Sequence, residues 1–104
     1  RDFTYIADAV GATIAAANQG NPDGVYNVGG GSRVSMNHVL ELMADCTGRV
    51  PRVSHEPIQI GDMHDTYADT SRARHDLGFV PSVNLLDGIK AEYEWLTNLP
   101  ELTR

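Results

Sequence analysis

The residues best suited to chemistry in this 104-residue chain sit in a polar stretch, Gln59-Ile60-Gly61-Asp62, running on into Thr66-Tyr67-Ala68-Asp69. A glycine there forces a bend, and polar side chains on a loop are free to face a ligand. A second stretch, Gly29-Gly30-Gly31, invites a phosphate-loop reading. It lacks the lysine and following serine or threonine of a P-loop. It also lacks the glycine spacing of a dinucleotide fingerprint, and the next helix starts only after Ser35. A tight strand-to-helix turn with positive φ is the favoured reading. The four histidines fall at no metal-ligand spacing, and His38 stands alone on its helix. His64-Asp65 is the nearest pair and reads as solvated surface.

These residues need elements to hold them. Arg1 to Ile6 is rich in β-formers. Asp8 to Asn18 reads as a helix, with Ile6, Val10, Ile14, Ala9, Ala12 and Ala16 on one apolar face. The Gly20-Asn21-Pro22-Asp23-Gly24 run ends it. Val25 to Val28 is a short strand. Ser35 caps a helix over 36–47, and Gly48 stands at its C′ position. Cys46 falls on that helix's apolar pattern and reads as a buried residue. Pro51 to His55 and Thr66 to Ala68 read as strands. Asp69 or Thr70 opens a short helix ending at Gly78. Asn84 caps a last helix that carries Leu85, Ile89, Tyr93 and Leu96 on one face, with Pro100 as its stop. Tyr26, Tyr67 and Trp95 read as packing residues. The expected fold class is α/β: one small mixed domain over 1–104.

Bulk properties set limits. Eight basic and fourteen acidic residues give a net charge of −6, which argues against nucleic acid as a partner. One or two local arginines can still bind a small anion. The lone Cys46 cannot form an internal disulfide and fits a reducing cytoplasm. No apolar run approaches the roughly 18 residues of a membrane span. The chain opens on Arg1 rather than methionine, so a processed product or a piece of a longer reading frame is expected.

Three stretches together carry a resemblance: Arg1-Asp2-Phe3-Thr4-Tyr5-Ile6, Val25-Tyr26-Asn27-Val28-Gly29-Gly30-Gly31, and Gln59-Ile60-Gly61-Asp62 with Thr66-Tyr67-Ala68-Asp69. The chain resembles the C-terminal substrate-binding region of extended short-chain dehydrogenases that act on nucleotide sugars, such as UDP-glucose and UDP-glucuronate 4-epimerases. The resemblance runs over nearly the whole chain. It implies that Arg1 reaches the substrate diphosphate, where a guanidinium fork suits phosphate oxygens. It implies that Asp62 approaches the nucleotide ribose. Many relatives carry arginine at the place of Gln59; glutamine keeps the hydrogen bonds and loses the charge. Arg33 is a further candidate cation for the same cleft. Asp2 reads as structural, a cap or a partner for a nearby backbone amide.

The resemblance also defines what is missing. Such enzymes work through NAD held on a Rossmann domain, with a Tyr-x-x-x-Lys pair. No tyrosine here has lysine four residues on; Lys90 is the only lysine. The expectation is a nucleotide-sugar-binding domain or remnant with no cofactor site of its own, inactive alone, binding its ligand weakly. It would form a homodimer or pair with a separate Rossmann-bearing chain. The alternative is a stand-alone interaction or assembly module that kept the fold.

Overall fold

The computed structural model describes residues 1–31 and 33–100. Four helices form: α1 (Ile6–Gln19), α2 (Met36–Thr47), α3 (Ser71–Leu77) and α4 (Leu85–Thr97). They pack as two pairs, α1 on α3 and α2 on α4.

The caps follow local chemistry. The Ser35 hydroxyl accepts from the His38 amide at 3.1 Å, and the Asn84 side-chain oxygen accepts from the Asp87 amide at 2.8 Å. Each satisfies an amide that the first helical turn leaves unpaired. Gly48 and Gly78 end α2 and α3 in the left-handed region, at φ 69° and 65°, where a side chain would be strained. Two ends depart from expectation. α1 starts at Ile6, with no side-chain cap from Tyr5. α4 stops at Thr97, ahead of Pro100.

The core is small: Ala12, Ala73, Leu77 and Phe79, with Ala15, Ala16, Tyr26 and Val28 against it. Ala73 has no exposed surface, so α1 and α3 meet through alanines and approach closely. That contact divides the apolar residues of α1. At 100° per residue, Ala12, Ala15 and Ala16 lie opposite Ile6, Val10 and Ile14. The alanine side turns inward, while Ile6, Val10 and Ile14 are exposed. The single apolar face expected for α1 is therefore two faces, with the larger side chains in solvent. Cys46 is half-buried, and Trp95 and Tyr67 are exposed, against their expected packing roles.

The expected strands at 25–28, 51–55 and 66–68 are not strands of a sheet. Among the described residues the one β-pairing is an isolated antiparallel bridge, Asp2 to Arg33. A strand becomes one only when a neighbour takes its amides and carbonyls, and here these segments find other partners or solvent. The helices alternate with extended segments, as an α/β chain's do. The whole is open, with a radius of gyration of 16.5 Å against about 13 Å for a compact chain of this length.

Candidate functional site

The bridge between Asp2 and Arg33 is the seed of the site. The Arg1 nitrogen donates to the Val34 carbonyl at 2.7 Å, and the Val34 amide donates back to the Arg1 carbonyl at 3.0 Å. Asp2 then ties in a third segment. Its carboxylate accepts from the Gly30 amide at 2.9 Å and from the Ala68 amide at 3.1 Å. Its own amide donates to the Thr66 hydroxyl at 3.3 Å. One aspartate thus joins 1–2, 29–34 and 66–68, pieces far apart in sequence. The structural role expected for Asp2 holds, with two amides in place of one.

This clamp explains the glycines. A Cβ on Gly30 would overlap the Phe3 carbonyl, and one on Gly29 would press into the Asp2 carboxylate and Ala68. Only Gly31 of the three has a positive φ, 88°. The triplet is therefore less a turn than a close approach of backbones. It does not fit a dinucleotide: the Gly30 amide is committed to Asp2, and Ser35 already caps the next helix.

Arg33 is exposed and partnered. Its Nη1 lies 2.9 Å from Asp65 Oδ2, and its guanidinium stands over the Tyr67 ring, 5.2 Å from the centroid. Tyr67 supplies an aromatic face for a cation. Arg1 is half-buried and anchored through its backbone.

Gln59 and Asp62 form a self-contained turn. The Asp62 amide donates to the Gln59 carbonyl at 3.1 Å, and the Gln59 amide donates to Asp62 Oδ2 at 3.3 Å. Gly61 has φ 91°, the conformation a type II turn demands at its third residue. The Gln59 side chain donates to the Pro57 carbonyl at 3.3 Å. The structure brings Arg1 and Arg33 onto paired backbones. Among the described residues, no hydrogen bond or ion pair joins Gln59 or Asp62 to either arginine.

Sequence reasoning missed Asp65 and Tyr67 as partners of Arg33, since their sequence separation hides the contact. It also missed Asp8. Asp8 is buried on α1 and accepts from the Ser82 hydroxyl at 2.7 Å, the Ser82 amide at 3.1 Å and the Val83 amide at 3.3 Å. The Ser82 hydroxyl is the main cause holding its carboxyl below the usual range; burial opposes and the two amides assist. A charged residue amid the alanines of α1 was the available signal. On the other side of the core, Asp76 accepts from Tyr26 and Asn21 and lies 2.6 Å from His75 Nδ1. The His75 contact is the largest cause keeping the Asp76 carboxyl low. Among the described residues no three of His, Cys, Asp and Glu gather to hold a metal ion.

A separate apolar groove lies elsewhere. About 750 Å³ in volume, it runs between α2, α4 and residues 3–6, walled by Phe3, Ile6, Met36, Met43, Ile89 and Trp95. None of Arg1, Arg33, Gln59 or Asp62 lines it.

No protein-family model matches the chain. Individual proteins do. The chain is 34% identical to the uncharacterized UDP-glucose epimerase YtcB of Bacillus subtilis over 100 residues, 95% of this chain and 32% of that protein. It is 30% identical to a UDP-glucuronate 4-epimerase of Thermodesulfobacterium geofontis, covering 100% of this chain and 32% of the relative. In backbone it matches the UDP-glucuronic acid 4-epimerase of Bacillus cereus, solved with UDP-4-deoxy-4-fluoro-glucuronic acid and NAD. The TM-score is 0.88 at 31% identity, over 96% of this chain and 32% of the other. The chain spans about a third of the length of these relatives. In sequence and in backbone its relatives are nucleotide-sugar epimerases and dehydratases of the extended short-chain dehydrogenase family, each matched over about a third of its length.

Proposed function

We propose that this chain is the nucleotide-sugar-binding region of such an enzyme and takes a nucleoside diphosphate sugar near Arg1, Arg33, Gln59 and Asp62. The supporting observation is the Asp2 clamp. It draws together the segments that begin with Arg1, contain the glycine triplet and Arg33, and open on Thr66, which are two of the stretches on which the family resemblance rests and the second half of the third. The Arg33 guanidinium suits a phosphate oxygen, and Arg1 is anchored on the backbone paired with that segment. Residues 1–104 act as one unit in this reading. The NAD site and the Tyr-x-x-x-Lys pair belong to the remaining two thirds of such an enzyme, so the chain alone binds without turnover. Residence in the cytoplasm goes with that reading; no described helix is long and apolar enough to cross a membrane.

With most of the enclosing protein absent, contact area and preorganisation are both reduced. The expected affinity for UDP-glucose is no better than roughly millimolar, about −4 kcal/mol. Chemical-shift titration checks this. Shifts are expected at Arg1, Arg33, Gln59 and Asp62; shifts clustered on α4 would overturn the reading.

A second reading, a stand-alone interaction or assembly module, is favoured by one observation. The chain exposes 8215 Å², whereas a compact monomer of its mass exposes about 5,700 Å². So much excess surface suits a chain that is covered by another.

A further inference from the structure

Arg33 already has an anion. Its Nη1 is 2.9 Å from Asp65 Oδ2, with both side chains 57% exposed, and its guanidinium stands over Tyr67. The root of this arrangement is fixed. Arg33 is bridged to Asp2, and Asp2 holds Thr66 and Ala68 on either side of Tyr67. Asp65 is different. It ends the segment 50–65, every residue of which is exposed. Among the described residues, the Arg33–Asp65 ion pair is the one hydrogen bond or ion pair between that segment and the rest of the chain.

We propose that Asp65 is a resident competitor at an anion site built from Arg33 and Tyr67, and that a diphosphate binds there by exchange with its carboxylate. The exchange sets specificity. A guanidinium fork accepts carboxylate and phosphate oxygens alike. A singly charged carboxylate ligand offers Arg33 no more than Asp65 already does, and Asp65 has the advantage of being tethered. A diphosphate brings more charge and displaces it. Tyr67 keeps its face to the guanidinium throughout and holds it in place when Asp65 leaves. Displacement also releases segment 50–65, which carries Gln59 and Asp62, from its tie. Ligand capture and freedom of that loop are therefore coupled. The inference rests on the diphosphate reading above for its natural ligand, and its test uses a simpler probe.

Inorganic pyrophosphate is titrated into the 104-residue chain, with the Arg33 Nε–Hε resonance as the readout and acetate as the singly charged control. Pyrophosphate is expected to shift that resonance and acetate is not. Asp65→Asn should tighten pyrophosphate two- to fivefold, the range an exposed ion pair supports. Arg33→Gln should abolish the response at this site. The amides of 50–65 should sharpen on adding pyrophosphate, as they do in Asp65→Asn without it. Unchanged or weaker binding in Asp65→Asn, or an Arg33 resonance unmoved in both proteins, would overturn the exchange. A parallel UDP-glucose titration read at the Gln59 and Asp62 amides separates the two readings. Shifts there with no Asp65 effect remove the exchange and leave the nucleotide sugar. Silence there with tighter pyrophosphate in Asp65→Asn does the reverse.

Discussion

Asp2 and Asp8 do similar work in different places. Each carboxylate accepts two distant backbone amides, Asp2 from two segments and Asp8 from one; the Ser82 hydroxyl also donates to Asp8, and the Asp2 amide donates to the Thr66 hydroxyl. Hydrogen bonds to a charged acceptor contribute about 1.5–3 kcal/mol each, so in a chain with so small a core these carboxylates matter more than usual. Asp8 gives a pH signature. Its folded carboxyl lies below the ordinary 3.8, chiefly through the Ser82 hydroxyl. A lowered folded value means the unfolded chain binds the proton more readily. The stability from Asp8 is therefore complete above the ordinary value and is lost as pH falls through the lower folded one. Urea midpoints from pH 6 downward should fall in this region for the natural chain. In Asp8→Asn the midpoint should start lower and the acid-side decline should be shallower.

At the scale of elements, α1 and α3 depend on smallness. Ala73 is fully buried against the alanine side of α1. A leucine there has no room unless the helices separate. Ala73→Leu should cost about 1–3 kcal/mol, the usual range for overpacking, seen as a lower midpoint in urea with the helical circular dichroism of the folded state preserved. The α2–α4 pair buries less on the α4 side. α4 has no fully buried residue, and the groove beside it is open. Its helix is specified by Asn84 at the cap and by its own residues more than by a core.

At the scale of the molecule, surface is the dominant fact. The chain exposes 8215 Å², an excess of about 2,500 Å² over a compact monomer. A standard complex covers about 800 Å² on each partner. Much of what is exposed is apolar and continuous: Ile6 walls the groove and also begins the row Ile6, Val10, Ile14 along α1. At roughly 25 cal/mol per Å², covering even a third of the excess outweighs moderate repulsion between chains of charge −6. The isolated chain should self-associate, most simply as a two-fold dimer. Sedimentation equilibrium in moderate salt should show mass above 11.3 kDa at high micromolar concentration, and Ile14→Glu should shift it toward monomer. A single 11.3 kDa species in the natural chain would rule the dimer out.

The sequence by itself determined what depends on near neighbours. Ser35, Asn84, Gly48 and Gly78 place helix ends because capping and left-handed turns are local. The motif stretches likewise carried the family, whose relatives match over nearly the whole chain. Only the tertiary structure decided what depends on partners. β-propensity at 25–28 and 51–55 could not become a sheet without a strand alongside. Periodicity marked α1 as apolar but could not say that its alanines, and not its isoleucines, would face inward. That choice follows from how closely α3 approaches. Gly29 and Gly30 announced a turn by composition; the Asp2 carboxylate and the Phe3 carbonyl gave their real reason. Arg33 could be named from sequence as a cation, but its carboxylate and its aromatic face lie 32 and 34 positions away. Only folding brings such distant charges within reach of one another.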